Sequence, residues 1–147
     1  MKSNPELGDE LVIERTFNAS IDKVWRAITD KAAMKQWYFD LADFKPEVGF
    51  AFRFSGGDKC NEYVHLCEVT EVIPGRKLAY SWGYEGYEGA SVLSFELFDE
   101  GDKTRLILIH TGLETFPQDN PAFAKSSFAG GWANIIGEKL KAFLETA

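Results

Sequence analysis

Cysteine and histidine are scarce in this chain, each present twice: Cys60 and Cys67, His65 and His110. The two thiols are too far apart for a Cys-x-x-Cys redox motif, and a free cysteine most often serves as a small buried hydrophobe. The two imidazoles lack a local carboxylate cluster and a His-x-x-x-His spacing, so no metal site is expected. There is no Gly-x-Ser-x-Gly elbow to activate a serine, Ser126 and Ser127 included. The turn Ser55-Gly56-Gly57-Asp58 lacks the Gly-Lys-Ser/Thr ending and the following helix of a phosphate loop. No apolar run approaches the ~20 residues that cross a bilayer. Met1 to Glu10 is polar and offers no h-region of a signal peptide, which makes a flexible N-terminus over residues 1–9 and a cytoplasmic location the expectation. Positive charge is also in deficit: 16 Lys and Arg against 23 Asp and Glu, a net charge of -7. Nucleic acid and membrane insertion are therefore set aside as partners.

What is abundant is aromatic surface, with 12 Phe, 5 Tyr and 4 Trp in 147 residues. One domain of this size buries a core without disulfides or metal. Leu11, Ile13 and Phe17 alternate with Glu14, Thr16 and Asn18 as in a half-buried strand, with Arg15 the exception on the apolar side. Ser20 stands as an N-cap, Asp22 in the first turn, and Ile21, Val24, Trp25 and Ile28 follow at helical spacing. Asp30 caps a second short helix carrying Ala33, Met34 and Trp37, with Tyr38 and Phe39 leading out of it. From Asp43 the period becomes two. Phe50, Phe52 and Phe54 share a face. Tyr63, His65, Cys67 and Val69 share another, up to Pro74-Gly75, and Leu78, Tyr80 and Trp82 a third. Gly83 to Gly89 reads as a loop, either a solvated hairpin or an aromatic lip for a ligand. Leu93, Phe95 and Leu97 form the next stripe. Arg105 to Thr111 is apolar on both faces, predicting a central or doubly covered strand.

The chain closes on a long amphipathic helix from Asn120 to Ala147, with Asn120 and Pro121 as cap and first position. Phe128, Trp132, Ile135, Ile136, Leu140, Phe143 and Leu144 fall at steps of three and four, interrupted by Lys139. Gly130 and Gly131 conflict with this helix, costing ~1 kcal/mol each relative to alanine. Either the helix approaches the sheet closely there, or the glycines leave open volume beside Trp132. One strand, two helices, about five or six strands in a meander and a long helix make an α+β layer structure.

Several short stretches carry a resemblance. Phe17-Asn18-Ala19-Ser20-Ile21-Asp22-Lys23-Val24-Trp25 resembles the strand-then-helix opening of the START-like superfamily, also called SRPBCC or Bet v 1-like. Trp37, Val48-Gly49, Glu71-Val72-Ile73-Pro74, Leu78 with Trp82, Thr104-Arg105-Leu106, His110-Thr111-Gly112, and Gly131-Trp132 with Leu140 resemble its Activator of Hsp90 ATPase homologue-like branch. The likeness runs from about Leu11 to Leu144 and departs at Phe50, where the branch has the second glycine of a pair. It implies a single helix-grip domain: a curved antiparallel sheet of about six strands wrapped around a long C-terminal helix, with two short helices after the first strand. Relatives of this kind enclose an apolar cavity between sheet and helix. On that basis Trp37, Phe52, Phe54, Tyr63, His65, Tyr80, Trp82, Phe95, His110, Phe128, Trp132 and Ile136 are the expected lining, and the expected activity is binding of a small hydrophobic molecule without a cofactor. Two other functions stay open. One is a cyclase or hydrolase using His110 as acid or base, with Tyr80 or His65. The other is an interaction module that meets a chaperone or a second copy.

Overall fold

The computed structural model describes residues 10–38, 43–57, 62–117 and 125–145. The expected caps Asn120 and Pro121, together with Phe39, Asp58, Cys60 and residues 1–9, lie outside them. Six strands form one antiparallel sheet: β1 (Leu11–Phe17), β2 (Ala51–Gly57), β3 (Glu62–Ile73), β4 (Lys77–Tyr84), β5 (Ser91–Asp99) and β6 (Thr104–Thr111), in the spatial order β1-β6-β5-β4-β3-β2. Strands β2 to β6 follow one another as a meander, and β1 closes it by pairing with the last strand, Leu11 opposite His110 and Phe17 opposite Thr104. Two helices, α1 (Ile21–Thr29) and α2 (Lys31–Trp37), fill the connection from β1 to β2. The C-terminal helix runs as α3 (Lys125–Asn134), a π-helical stretch (Ile135–Leu140) and α4 (Lys141–Glu145).

The local signals form as read. The Ser20 hydroxyl accepts from the Lys23 amide at 3.3 Å, and the Asp30 carboxylate accepts from the Ala33 amide at 3.0 Å. Each satisfies an N–H that the first helical turn cannot pair internally. The Lys23 ammonium donates to the Leu144 carbonyl at 2.8 Å, tying the first turn of α1 to the last turn of the C-terminal helix.

Strand alternation holds for β1, β2, β5 and β6, with Ile13, Phe52, Phe54, Leu93, Phe95, Leu97, Leu106 and Leu108 buried on the inner face. Two local departures stand out. In β3 the register shifts between Val69 and Glu71, so the inward set Tyr63, His65, Cys67, Val69 ends there and Val72 takes over against the core. In β4 the strand continues through Gly83 to Tyr84, whose side chain is buried; the expected loop begins after it. β6 is central, between β1 and β5, but among the described residues no element covers its outer face. Ile107 and Ile109 are half-buried on the outer face, with Val12 and Val92 exposed beside them.

The buried residues of the C-terminal helix are Phe128, Trp132, Ile136, Leu140 and Leu144, each four after the last. In an α-helix a four-residue step overshoots a full turn by ~40°, and four such steps would carry the stripe ~160° around the axis. A π-helical turn, with its i→i+5 bonds, is wider and falls back by comparable amounts, so Ile135–Leu140 keeps the stripe facing the sheet. Lys139 is exposed, and Ile135 and Phe143 are half-buried at the flanks. Gly137 explains the odd Arg15: a Cβ there would stand 3.3 Å from the Arg15 Nε, so the guanidinium crosses the helix where the helix has no side chain.

Gly130 and Gly131 correct an expectation. Both are exposed, and a Cβ built at either meets no described atom within 4 Å, so close approach to the sheet does not account for them. Besides Gly137, glycines that do permit close approach are Gly89 and Gly112. At Gly89, with φ +106°, a Cβ would lie 2.5 Å from the Thr115 carbonyl oxygen. The β4–β5 loop is thereby fastened to the short 3-10 turn Leu113–Thr115, where the Thr115 hydroxyl accepts from the Ala90 amide at 2.9 Å.

Candidate functional site

The inner face of the sheet and the buried stripe of the C-terminal helix meet over a cluster of rings. Trp82 on β4 is at its centre, with centroids 4.9 Å from His65, 5.3 Å from Trp132, 5.6 Å from His110 and 5.7 Å from Phe54. These residues arrive together because their strand phases agree: positions 54, 65, 82 and 110 all point inward, and Trp132 follows Phe128 by one turn. Phe52 stacks beside Phe54 and meets Tyr80 edge-on at 5.1 Å, and Tyr80 leads on to Phe95 at 6.1 Å. Phe128 packs edge-on against His110 at 5.3 Å. Ile136 is fully buried one turn beyond Trp132. Tyr63 is half-buried at the margin, between Tyr84 and Tyr87, and Trp37 lies under α1 with its indole N–H donating to the Ala27 carbonyl at 2.9 Å.

The polar atoms in this cluster can be assigned proton by proton. An indole Nε1 is a donor only. Trp132 Nε1 lies 3.1 Å from His110 Nδ1, so Nδ1 accepts and carries no proton. The neutral ring then holds its proton on Nε2, which donates to the Ser91 hydroxyl at 2.8 Å. The Ser91 proton completes the run by donating to the Trp82 carbonyl at 3.0 Å. The same tryptophan donates its indole N–H to the Tyr84 hydroxyl at 2.8 Å. His65 has the opposite tautomer: its Nδ1 faces the carbonyls of Tyr63 at 3.1 Å and Phe54 at 3.3 Å, two acceptors, so the proton sits on Nδ1.

Burial sets the protonation of both rings. It pushes the His110 pKa down to about 3, and the His65 pKa down to about 4 despite the two carbonyls that favour its charged form. Protonating His110 on Nδ1 would also set two donors against each other across the Trp132 contact. Both histidines are therefore neutral hydrogen-bonding groups near pH 7. The Cys67 thiol and the Tyr84 hydroxyl are pushed up by burial and stay protonated. Among the described residues no three His, Cys, Asp or Glu side chains are grouped so as to hold a metal ion.

Two members of the site escaped the sequence reading. Ser91 shares the inward phase of Leu93, Phe95 and Leu97, and a lone serine at the head of an apolar stripe was the available signal. Tyr38 caps the C-terminal end of α2 and stacks on Trp132 with centroids 6.1 Å apart and planes inclined 21°. Its hydroxyl lies 2.6 Å from that of the fully buried Tyr80, and burial pushes both phenols well up from their ordinary pKa. Half-buried itself, Tyr38 forms the wall between the ring cluster and solvent. Outside that wall an open groove of about 520 Å³ runs between α2 and the C-terminal helix.

Comparison with known proteins places this architecture. Protein MLL2253 from Mesorhizobium loti superposes with a TM-score of 0.79 at 29% identity, over 94% of this chain and 98% of that one. CalU16 from Micromonospora echinospora gives a TM-score of 0.69 at 25% identity, over 92% and 74%. DynU16, from the dynemicin biosynthetic locus, shares the fold with a TM-score of 0.77 at 24% identity; the match spans 94% of this chain and 48% of that longer one. No curated protein matches. The family described as Activator of Hsp90 ATPase homolog 1-like protein matches residues 18–145, nearly the whole of the helix-grip domain, and the chain belongs to that family, within the START-like, SRPBCC superfamily.

Proposed function

We propose that the ring cluster between the sheet and the C-terminal helix binds a small hydrophobic molecule, lipid-like or polycyclic. The observation that carries this is the composition of the interior where helix and sheet meet: aromatic faces around a few polar atoms that, in the described structure, satisfy one another. Small-molecule sites have this make-up, mostly apolar walls with a small number of placed donors and acceptors. A core that needed only to be stable would do as well with aliphatic side chains, because each buried polar atom contributes little net stability and is costly if its partner is lost. Two local features give a ligand a way in. Tyr38 is a half-buried ring at the end of a short helix, stacked on Trp132 and paired through its hydroxyl with Tyr80, and the π-helical stretch next to Trp132 is a backbone form found disproportionately at functional sites. The neutral, doubly hydrogen-bonded His110 favours a recognition role over acid–base catalysis, which needs a ring able to exchange protons near the working pH.

The test is displacement of an environment-sensitive apolar dye, followed by mass spectrometry of whatever a lipid or metabolite extract leaves on the protein. Retention of one ligand class, with binding weakened by Trp82→Ala, is the expected result. Failure to retain any ligand, together with unchanged dye binding by Trp82→Ala, would overturn the reading.

A further inference from the structure

We infer that the groove between α2 and the C-terminal helix is a separate binding site for a soluble anionic amphiphile, a single carboxylate head on a short apolar tail. At about 520 Å³ the groove has the size of a small-molecule site. Its floor is aromatic: Trp37 is buried, while Tyr38 and Phe143 are half-buried and keep part of their surface open to the groove. Its charge is of one sign. Lys35 reaches it from α2 and Lys139 from the π-helical stretch; both are exposed, and neither forms an ion pair among the described residues. Arg53, Lys77, Arg105 and Lys141, by contrast, each meet a carboxylate. No Asp or Glu is among the described residues that line the groove.

The cationic character continues past the shared residues Gln36 and Phe143 into a neighbouring depression lined by Lys23 and Arg26. The carboxylate among the described residues that line it, Asp30, is engaged as the N-cap of α2. On a chain with a net charge of -7, this is a place where an anion is drawn in rather than repelled. Two ammonium groups are point charges without the fork that grips a phosphate, and the groove lies at the C-terminal, electronegative end of α2. Both features suit a monoanion better than a dianion. The apolar tail lies on Tyr38 and Phe143, outside the ring cluster, so the inference does not depend on interior binding.

Decanoate, kept below the concentration at which it forms micelles, is the probe, titrated against the whole chain by two-dimensional amide NMR. The expected result is saturable binding, with shifts at Gln36 to Tyr38 and at Lys139 to Phe143. The charge reversal Lys35→Glu with Lys139→Glu, at two exposed positions, should weaken it about tenfold or more. Lys35→Gln with Lys139→Gln should fall between the two, and decanol should bind more weakly than decanoate. Absence of saturation, equal affinity for decanol, or full affinity in the charge-reversed variant would each overturn the inference. So would shifts confined to Trp82, His110 and Trp132, which would instead place the probe in the interior. Dye binding by Trp82→Ala reports on that interior alone, so either site can fail without the other.

Discussion

Lowering the pH from 7 to 5 should cost this protein about 4 kcal/mol of stability through its two histidines alone, and replacing His110 by glutamine should abolish half of that loss. His110 moves from its ordinary 6.5 in the unfolded chain to about 3 in the native state, because the charged ring would lie among Trp82, Phe128 and Trp132. Between those two values the unfolded chain holds the extra proton, so stability is fully present above 6.5 and falls as the pH drops toward 3. At pH 5 the interval already crossed is ~1.5 units, and at ~1.4 kcal/mol per unit that is about 2 kcal/mol. His65, with its native value near 4, adds a similar amount over the same interval. Against a typical total of ~5–15 kcal/mol this is a large fraction. Urea denaturation at pH 7 and pH 5 measures it. His110→Gln has its own cost at pH 7, but its amide can accept and donate without titrating, so its stability should fall by about 2 kcal/mol where the parent falls by about 4. Equal pH slopes for the two proteins, or a His110 ring titrating near 6.5 by NMR, would refute the protonation scheme.

Other substitutions probe the remaining features. Gly130→Ala and Gly131→Ala should each stabilise the protein by about 0.5–1 kcal/mol in thermal or urea unfolding, because each adds a helix former where no described atom is in the way. Destabilisation by either would mean that these glycines serve packing after all. Gly89→Ala should destabilise by about 2 kcal/mol or more, since its Cβ meets the Thr115 carbonyl as well as an unfavourable φ. Gly86→Ala is the control: φ is +86° but the space is open, so only the conformational cost of about 1 kcal/mol should be measured. Tyr38→Phe strands the buried Tyr80 hydroxyl and should cost about 1–3 kcal/mol, and adding Tyr80→Phe should recover part of it in a double-mutant cycle.

The sheet was legible because alternation survives wherever one face is buried, as at Leu93, Phe95 and Leu97. The caps Ser20 and Asp30 were legible because their side-chain chemistry is local. Tyr84 was lost to the loop because Gly83 and the repeated Gly-Tyr-Glu around it have turn composition. Only the pairing of Gly83 with Leu66 and of Tyr84 with His65 on the neighbouring strand makes the segment a strand. The π-helical stretch is written in the sequence as an unbroken four-residue spacing from Phe128 to Leu144. Ile135 and Phe143 at the flanks blur that spacing into an ordinary amphipathic helix. The two glycines pointed the wrong way for a related reason: sequence reports that Gly130 and Gly131 disfavour a helix, but which way they face depends on a rotation set by the wider turns that follow. Inward phases likewise brought His65, Trp82 and His110 to one surface, while the order of protons through Trp132, His110 and Ser91 depends on distances that no spacing specifies.

That order of protons bears on what the interior can accept. Any molecule that parts Trp132 from the sheet takes the indole N–H away from His110 Nδ1. Leaving Nδ1 buried without a donor costs about 1–3 kcal/mol, a loss of roughly tenfold or more in affinity. A ligand that brings a hydroxyl or N–H to that nitrogen escapes the cost, and one with only acceptors there does not. Protonating His110 does not relieve it cheaply either, because burial holds the native pKa near 3. The chain continues through Ser91, whose proton is committed to the Trp82 carbonyl, so the ring cannot exchange tautomers without breaking a second bond. A ligand bound there as proposed is therefore selected by hydrogen-bond sense as well as by shape. Of two equally apolar ligands matched in size, the one presenting a donor toward His110 should bind more tightly, and His110→Phe, which removes the acceptor, should erase that preference while leaving the acceptor-only ligand no worse bound relative to its partner.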